Sequence, residues 1–300
     1  MIGWIIYNGH LPSKKFINFA NWIKDAGLNK GIQMETVKNN HVWVELGTNI
    51  SGVINDKHLS TPNFVIFHDK DIALARQLEQ SNIPVINSAA AIEICDNKIT
   101  TYQQLTKDSI PIPKTFVAPK IFEKTEKVEL DSFLIIENYL SYPFIIKEAY
   151  GSFGEQVYLI ETRQQYVDKI NELKGVPFVI QQFVATSYGK DIRINVIGGK
   201  VVASMLRKGN GDFRANVNAG GSTEPYSPSP KEKALAIAAA ASVGADFAGV
   251  DLLFGENGNP IVCEVNSNAH IQGIYESTGI NVADYMIDYC IEKVKGMKDL

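Results

Sequence analysis

Apolar and polar positions along this chain switch between two periods, and the switches mark out its elements. In the first hundred residues, apolar runs at residues 3–7, 63–67 and 84–86 read as β-strands. Between them the spacing is that of amphipathic helices. Residues 12–26 form one helix, with Gly27 expected to close it, and residues 72–80 form another. Ser88 is placed to cap a third that runs through Cys95. This alternation predicts a small open parallel sheet. Residues 41–59 are polar, contain Gly47 and Gly52, and read as loop or short hairpin.

Residues 97–107 are again helical and end at Ile110-Pro111-Ile112-Pro113, where proline removes a donor and its predecessor avoids helix. A charged connection at 120–129 leads to a short helix at 131–139. Strands at 144–148 and 156–160 flank Ala149-Tyr150-Gly151-Ser152-Phe153-Gly154, and Thr162 caps a helix ending near Gly175. Past Val179 strands dominate. Residues 191–197 and 200–208 alternate around Gly198-Gly199, a strong two-residue hairpin signal. An alanine-rich helix at 231–243 precedes a second hairpin, 249–254 with 260–266, and residues 281–295 form a closing helix.

Composition narrows the function. At 300 residues the chain exceeds one small core, so two or three units are expected. With 45% hydrophobic and 21% charged residues it has the balance of a soluble globular protein. A net charge of -4 gives no footprint for a nucleic-acid backbone. Cys95, Cys263 and Cys290 lie far apart with no metal-binding spacing, which fits a reducing cytoplasm. The first residues read as a strand rather than a signal segment, and no apolar run is long enough to span a membrane.

Three groups of residues could carry chemistry. Ile145-Ile146-Lys147 ends a buried-looking strand beside the glycine loop, where a lysine and backbone N–H groups could close on phosphate oxygens. A hairpin with a solvated lysine gives the same pattern, and neither P-loop nor Rossmann spacing is present. Val250-Asp251-Leu252 and Cys263-Glu264-Val265-Asn266 form the second group. Glu264 and Asn266 share a strand face and Asp251 lies on the partner strand, an all-oxygen set that suits Mg²⁺. A solvated polar face is the alternative, but the flanking residues are apolar. The third group is Arg193, Arg207, Lys208 and Arg214, natural clamps for a phosphoryl group or surface ion pairs. A plain two-residue turn at Gly198-Gly199 pairs Arg193 with Ser204 and puts Arg207 on the opposite face, so a bulge is needed to unite them. No nucleophile motif appears, and of the five histidines only His270 stands out, four residues past the oxygen-rich strand.

Several stretches together resemble the ATP-grasp superfamily, and within it the RimK-like carboxylate-amine ligases. They are Ser187-Tyr188-Gly189-Lys190-Asp191-Ile192-Arg193, Val201-Val202-Ala203-Ser204-Met205-Leu206-Arg207, Gly211-Asp212-Phe213-Arg214-Ala215-Asn216 with Gly220-Gly221, Ala248-Gly249-Val250-Asp251-Leu252-Leu253, and Glu264-Val265-Asn266-Ser267. Asp96-Asn97-Lys98, Ile110 to Pro113 and Pro84 to Ser88 extend the likeness upstream; the first sixty residues show none. The resemblance implies an α/β and α+β ATP-grasp fold: an open α/β N-terminal domain (1–96), a small central lid domain (97–182) and a mixed C-terminal domain (183–300), with ATP between the last two.

It further implies Lys98, Lys147 and the Gly151-Ser152-Gly154 loop on the phosphates. Gln182, Phe183 and Val184 would meet adenine, Asp191 the ribose, and Arg207 with Arg193 the γ-phosphate, Asn216 nearby. Asp251, Glu264 and Asn266 would hold two Mg²⁺ ions, with Mn²⁺ as a substitute. Departures fall where substrates bind. Ala219 stands where an arginine commonly precedes Gly220-Gly221, Asn268-Ala269-His270-Ile271 replaces a Pro-Gly turn, and Phe67-His68-Asp69-Lys70 replaces an arginine after the third N-terminal strand. Gln182 also replaces a frequent glutamate. His68, Lys70, Arg214, Gly220, Gly221 and His270 are therefore expected to shape a changed substrate pocket. The implied function joins an amino acid such as glutamate to an amine or peptide through an acyl phosphate, in a cytoplasmic enzyme that can form homo-oligomers. Crosslinking of a ribosomal precursor peptide and a catalytically silent nucleotide-binding protein are the rivals.

Overall fold

The computed structural model describes the chain apart from residues 12, 47–52, 56–58, 152–153, 216–219 and 299–300, with backbone alone at 53–55 and 298. Its N-terminal part runs β1 (Ile2–Tyr7), α1 (Lys14–Asn29), β2 (Gln33–Lys38), the antiparallel pair β3 (Val42–Val44) and β4 (Val53–Asn55), β5 (Phe64–His68), α2 (Ile72–Gln80), β6 (Val85–Ile86) and α3 (Ala89–Asp96). The sheet is parallel, in the order β2-β1-β5-β6, as the strand-helix alternation predicts. Strand β2 is absent from the sequence reading. Only Met34 and Val37 are buried in it, a spacing of three that hides a period of two. Helix α1 starts at Lys14 and outruns Gly27 by two residues. Gly27 is a close-approach glycine instead of a cap, because a Cβ there would meet Met34 Cγ at 2.3 Å.

The middle of the chain holds α4 (Lys98–Lys107), β7 (Thr115–Val117), α5 (Asp131–Leu134), β8 (Phe144–Glu148), β9 (Val157–Ile160), α6 (Arg163–Glu172) and β10 (Phe178–Gln182). Its antiparallel sheet has the order β7-β10-β8-β9, and α5 and α6 cover one face through Phe133, Tyr166 and Ile170 packed on Phe144 and Phe178. The last part comprises β11 (Lys190–Ile197), β12 (Lys200–Lys208), β13 (Ser222–Pro225), α7 (Pro230–Ser242), β14 (Phe247–Phe254), β15 (Pro260–Asn266), α8 (Gln272–Thr278) and α9 (Val282–Lys298), with the sheet order β13-β12-β11-β14-β15. Gly198 and Gly199 both take positive φ (55° and 73°), the two-residue turn expected between β11 and β12. Ser229 and Glu232 close a capping box on α7, with Pro230 in its first turn.

The two faces of the last sheet do different things. Ile192, Ile194, Val196, Val250 and Leu252 pack against α7 and, through Tyr102 and Leu105, against α4. On the other face Ile197, Ala203, Met205 and Phe247 join α1, α8 and α9 in a core shared with the N-terminal sheet. Asn87, 1% exposed, rivets the same junction: its amide oxygen accepts from Phe247 N, and its nitrogen donates to the carbonyls of Phe247 and Ser267, all at 2.8 Å. Among the described residues no helix is long and apolar enough to cross a membrane.

Candidate active site

Strand register assembles the site. Asn195 pairs with Ala203 and Val196 with Val201, so β12 carries one extra residue at Val202. That bulge corrects the simple pairing: Arg193 lies opposite Met205, not Ser204, and Arg207 lies opposite Asp191. Arg193 and Arg207 thus share a face. Strand β14 extends the pattern, with Asp251 beside both Arg193 and Glu264. One rung across the sheet reads Met205, Arg193, Asp251, Glu264. The next reads Ala203, Asn195, Gly249, Asn266. Gly249 keeps the second rung low: a Cβ there would meet Ala269 Cβ at 2.5 Å and Arg193 Nη1 at 3.0 Å.

Two buried aspartates and two half-buried arginines interlock on this face. Arg207 donates to both Asp191 oxygens, at 2.6 and 2.7 Å, and lies 2.9 Å from Asp251 Oδ2. Arg193 donates to both oxygens of Asp251, through Nη2 at 2.8 Å and through Nε. Burial works to raise the Asp251 carboxyl, but the two guanidiniums outweigh it and hold it below the ordinary carboxylate range. The ladder is neutral as a whole, which is how such groups tolerate burial.

Two lysines approach from the middle part of the chain. Lys147, on β8, donates to Tyr102 Oη at 3.0 Å and lies 3.7 Å from Cys263 Sγ. Tyr102 in turn donates to the Cys263 carbonyl at 2.8 Å. Lys98 opens α4 with Asn97 as its N-cap, and its Nζ lies 4.0 Å from Glu264 and 3.4 Å from the Gly151 carbonyl. Burial lowers the Lys98 ammonium; Glu264 opposes this, and Lys147 and Lys70 add to it. Tyr102 is one turn along α4 from Lys98, a spacing that could have pointed to it.

The glycine loop is held from both sides. A Cβ on Gly151, at φ 150°, would meet the Gln156 side chain at 2.5 Å, and Arg214 donates to the Gly154 carbonyl at 2.6 Å while pairing with Asp212. Arg214 is thus committed to the loop and Asp212. Ser152 and Asn216, like Ala219, lie outside the described residues. Gln182 ends β10 exposed, and Phe183 and Val184 follow half-buried, with Phe183 edge-on to Tyr188. Gly220 (φ 88°) and Gly221 lead into β13.

His68 and His270, 202 positions apart in sequence, meet edge to face with ring centroids 5.3 Å apart, and His68 stacks on Phe19 at 3.6 Å. Burial, then the charge of His270, pushes His68 down to about 3. Burial lowers His270 as well, with Lys15 and Arg193 adding to it. Lys70 pairs with Asp96 at 2.5 Å, and Asn268 donates to the Asp69 carbonyl at 2.9 Å. Sequence reading missed Tyr102, Asn87 and Asn195. The last was visible as a polar residue alternating with Asp191 and Arg193.

The donor set suits a hard dication. Asp251 and Glu264 face each other across one rung, and Asn266 follows on the next, its nitrogen engaged with the Gly249 carbonyl at 3.3 Å and its oxygen outside that bond. Among the described residues no group of three or more His, Cys, Asp and Glu is arranged for a metal, so the amide and the nucleotide would complete any such set.

Residues 95–290 match a family model described as the RimK-like ATP-grasp domain. An uncharacterized protein of Mycoplasma pneumoniae is 33% identical over 258 residues, 85% of this chain and 87% of its own. A "Probable alpha-L-glutamate ligase" of Maridesulfovibrio salexigens is 37% identical over 224 residues, 74% of this chain and 71% of its own. Among solved structures, the ATP-grasp ligase PsnB, complexed with a variant of its minimal precursor, Mg and ADP, superposes with a TM-score of 0.69 at 18% identity, covering 97% of each chain.

Proposed function

Since this chain belongs to the RimK-like ATP-grasp family and is an ATP-dependent carboxylate-amine ligase, we propose that it activates its carboxylate as an acyl phosphate and transfers the acyl group to an amine, releasing ADP and phosphate. The observation that supports this most is the bulge at Val202, which brings Arg193, Arg207, Asp251 and Glu264 onto one face opposite Lys98 and Lys147. Joining a carboxylate to a nucleotide brings anions together, and these cations offset that repulsion. Lys98 and Lys147 hold the phosphates, Gln182 to Val184 receive adenine and Asp191 the ribose. Arg207 and Arg193 stabilise charge on the transferring γ-phosphoryl group. Asp251, Glu264 and Asn266 would hold Mg²⁺, which supplies further charge neutralisation there. The loop from Gly151 to Gly154, held by Arg214, keeps water from the acyl phosphate until the amine attacks.

Relatives named as glutamate ligases support an amino acid as one substrate. A peptide is the second reading for the acceptor, supported by the precursor bound to PsnB. We place the substrate at the junction of the N-terminal sheet and β14–β15, beside His68 and His270. The test is a panel of amino acids and short peptides with ATP and Mg²⁺, read by nucleotide analysis and product mass. The expected products are ADP, phosphate and a condensed species lighter by one water. AMP and pyrophosphate would replace this mechanism with adenylation.

A further inference from the structure

Asn195 is 3% exposed, on the strand face that carries Asp191 and Arg193, and its Oδ1 is buried without a hydrogen-bond partner among the described residues. Such an oxygen is costly to leave unpaired. The Asn195 side chain lines a cavity of ≈ 20 Å³ between the N-terminal sheet and β14–β15, room for one water-sized group. His68, Ser267 and Asn268 also line it, and Phe19, Phe247 and Met286 supply apolar wall. The Asn87 amide in the same lining is spent on its three backbone bonds, and the Asn268 nitrogen on Asp69. No aspartate, glutamate, lysine or arginine is among the described lining residues. His68 itself stays uncharged at neutral pH, since burial holds it at about 3.

The position matters as much as the polarity. Asn195 stands one rung from Arg193 and Asp251, two residues along the strand or roughly 7 Å. A hydroxyl three or four bonds from the carboxyl carbon, on a substrate whose carboxylate lies at the charged rung, spans about half to two-thirds of that distance.

We propose that this cavity is a substrate subsite for an uncharged, hydroxyl-sized hydrogen-bonding group, with the Asn195 side-chain amide as its partner and the buried imidazole of His68 beside it. The enzyme then selects an amino acid bearing a side-chain hydroxyl over one bearing a second carboxylate, which would lie here desolvated beside an Arg193 whose charge Asp251 already neutralises. This subsite rests on the ligase reading above and refines its substrate class.

The experiment offers L-serine, L-homoserine, L-alanine and L-glutamate, free and joined to glycine in either order, to wild type and Asn195→Leu with ATP and Mg²⁺. ADP release gives kcat/KM, and binding of a fluorescent ATP analogue is measured separately. Wild type should favour a hydroxyl-bearing substrate over alanine and glutamate by about tenfold or more, because the analogue lacking the hydroxyl leaves Asn195 unpaired. Asn195→Leu, similar in volume, should bring the ratio to within about threefold. Should that variant not fold, the wild-type comparison of serine and homoserine with alanine decides alone. Glutamate preference, use of both hydroxyl-bearing amino acids no better than alanine, or no ADP release with any of the panel overturns the subsite, whereas AMP and pyrophosphate as products overturn the acyl-phosphate reading. A hydroxyl preference that survives in folded Asn195→Leu overturns the assignment of Asn195.

Discussion

Asp251 is shared by two guanidiniums, and Arg207 also carries Asp191. Removing Arg207 therefore strands Asp191, 9% exposed, and leaves Asp251, 3% exposed, to Arg193 alone. Arg207→Met should cost about 3–5 kcal/mol, as breaking one side of a buried pair does, and chemical denaturation without nucleotide reads it. A wild-type midpoint would mean that the ladder contributes nothing. Lys147→Met acts on binding instead, since charged hydrogen bonds contribute about 1.5–3 kcal/mol; ATP affinity should fall roughly tenfold to a hundredfold, seen by titration calorimetry. Both residue types were legible in the sequence. Their convergence was not, because Val202 carries no mark of a bulge and an unbroken hairpin sends Arg207 to the other face.

His68 gives a pH dependence with a definite sign. Its folded value of about 3 lies below the unfolded 6.5, so between those limits the unfolded chain binds the extra proton. Stability should fall as pH drops below about 6.5, by about 1.4 kcal/mol per pH unit. Melting curves from pH 7 to 5 check this, with His68→Phe as the control: the substitution should flatten the slope, and an unchanged slope would assign it to other groups.

Among the elements, those with strong period or clear caps were legible: α2, α3 after Ser88, α4 after Asn97, and the hairpins β11–β12 and β14–β15. Most of those missed are short or lightly buried: strand β7 has three residues, β13 pairs only with β12 at the sheet edge, and α8 has seven residues and no side-chain cap. Strand β10 is the exception, buried over four of its five residues; the resemblance implies a strand at Gln182 to Val184, and β10 ends at Gln182. Junctions between elements were also hidden. Asn87 reads as a strand-end asparagine, yet it bonds the first residue of β14 and the residue that follows β15, 160 and 180 positions away. Asn87→Ala should cost roughly 2–4 kcal/mol by leaving buried backbone groups unpaired, measured as a shift in melting temperature. A shift of under a degree would show that the junction repacks around the loss.

At the scale of the molecule, one core joins α1 and the N-terminal sheet to α8, α9 and one face of the last sheet, so the proposed substrate junction is set by long-range packing. Sequence motifs carried the proposed nucleotide side; the proposed substrate side depends on contacts such as His68 with His270 that no local pattern reveals. The account turns on how the carboxylate is activated. The most direct measurement supplies the carboxylate substrate labelled with ¹⁸O in both oxygens and follows the label by mass spectrometry of the released phosphate. Activation as an acyl phosphate predicts one ¹⁸O in inorganic phosphate for each amide formed, with ADP as the nucleotide product. Label recovered in AMP, or unlabelled phosphate at full turnover, would contradict it.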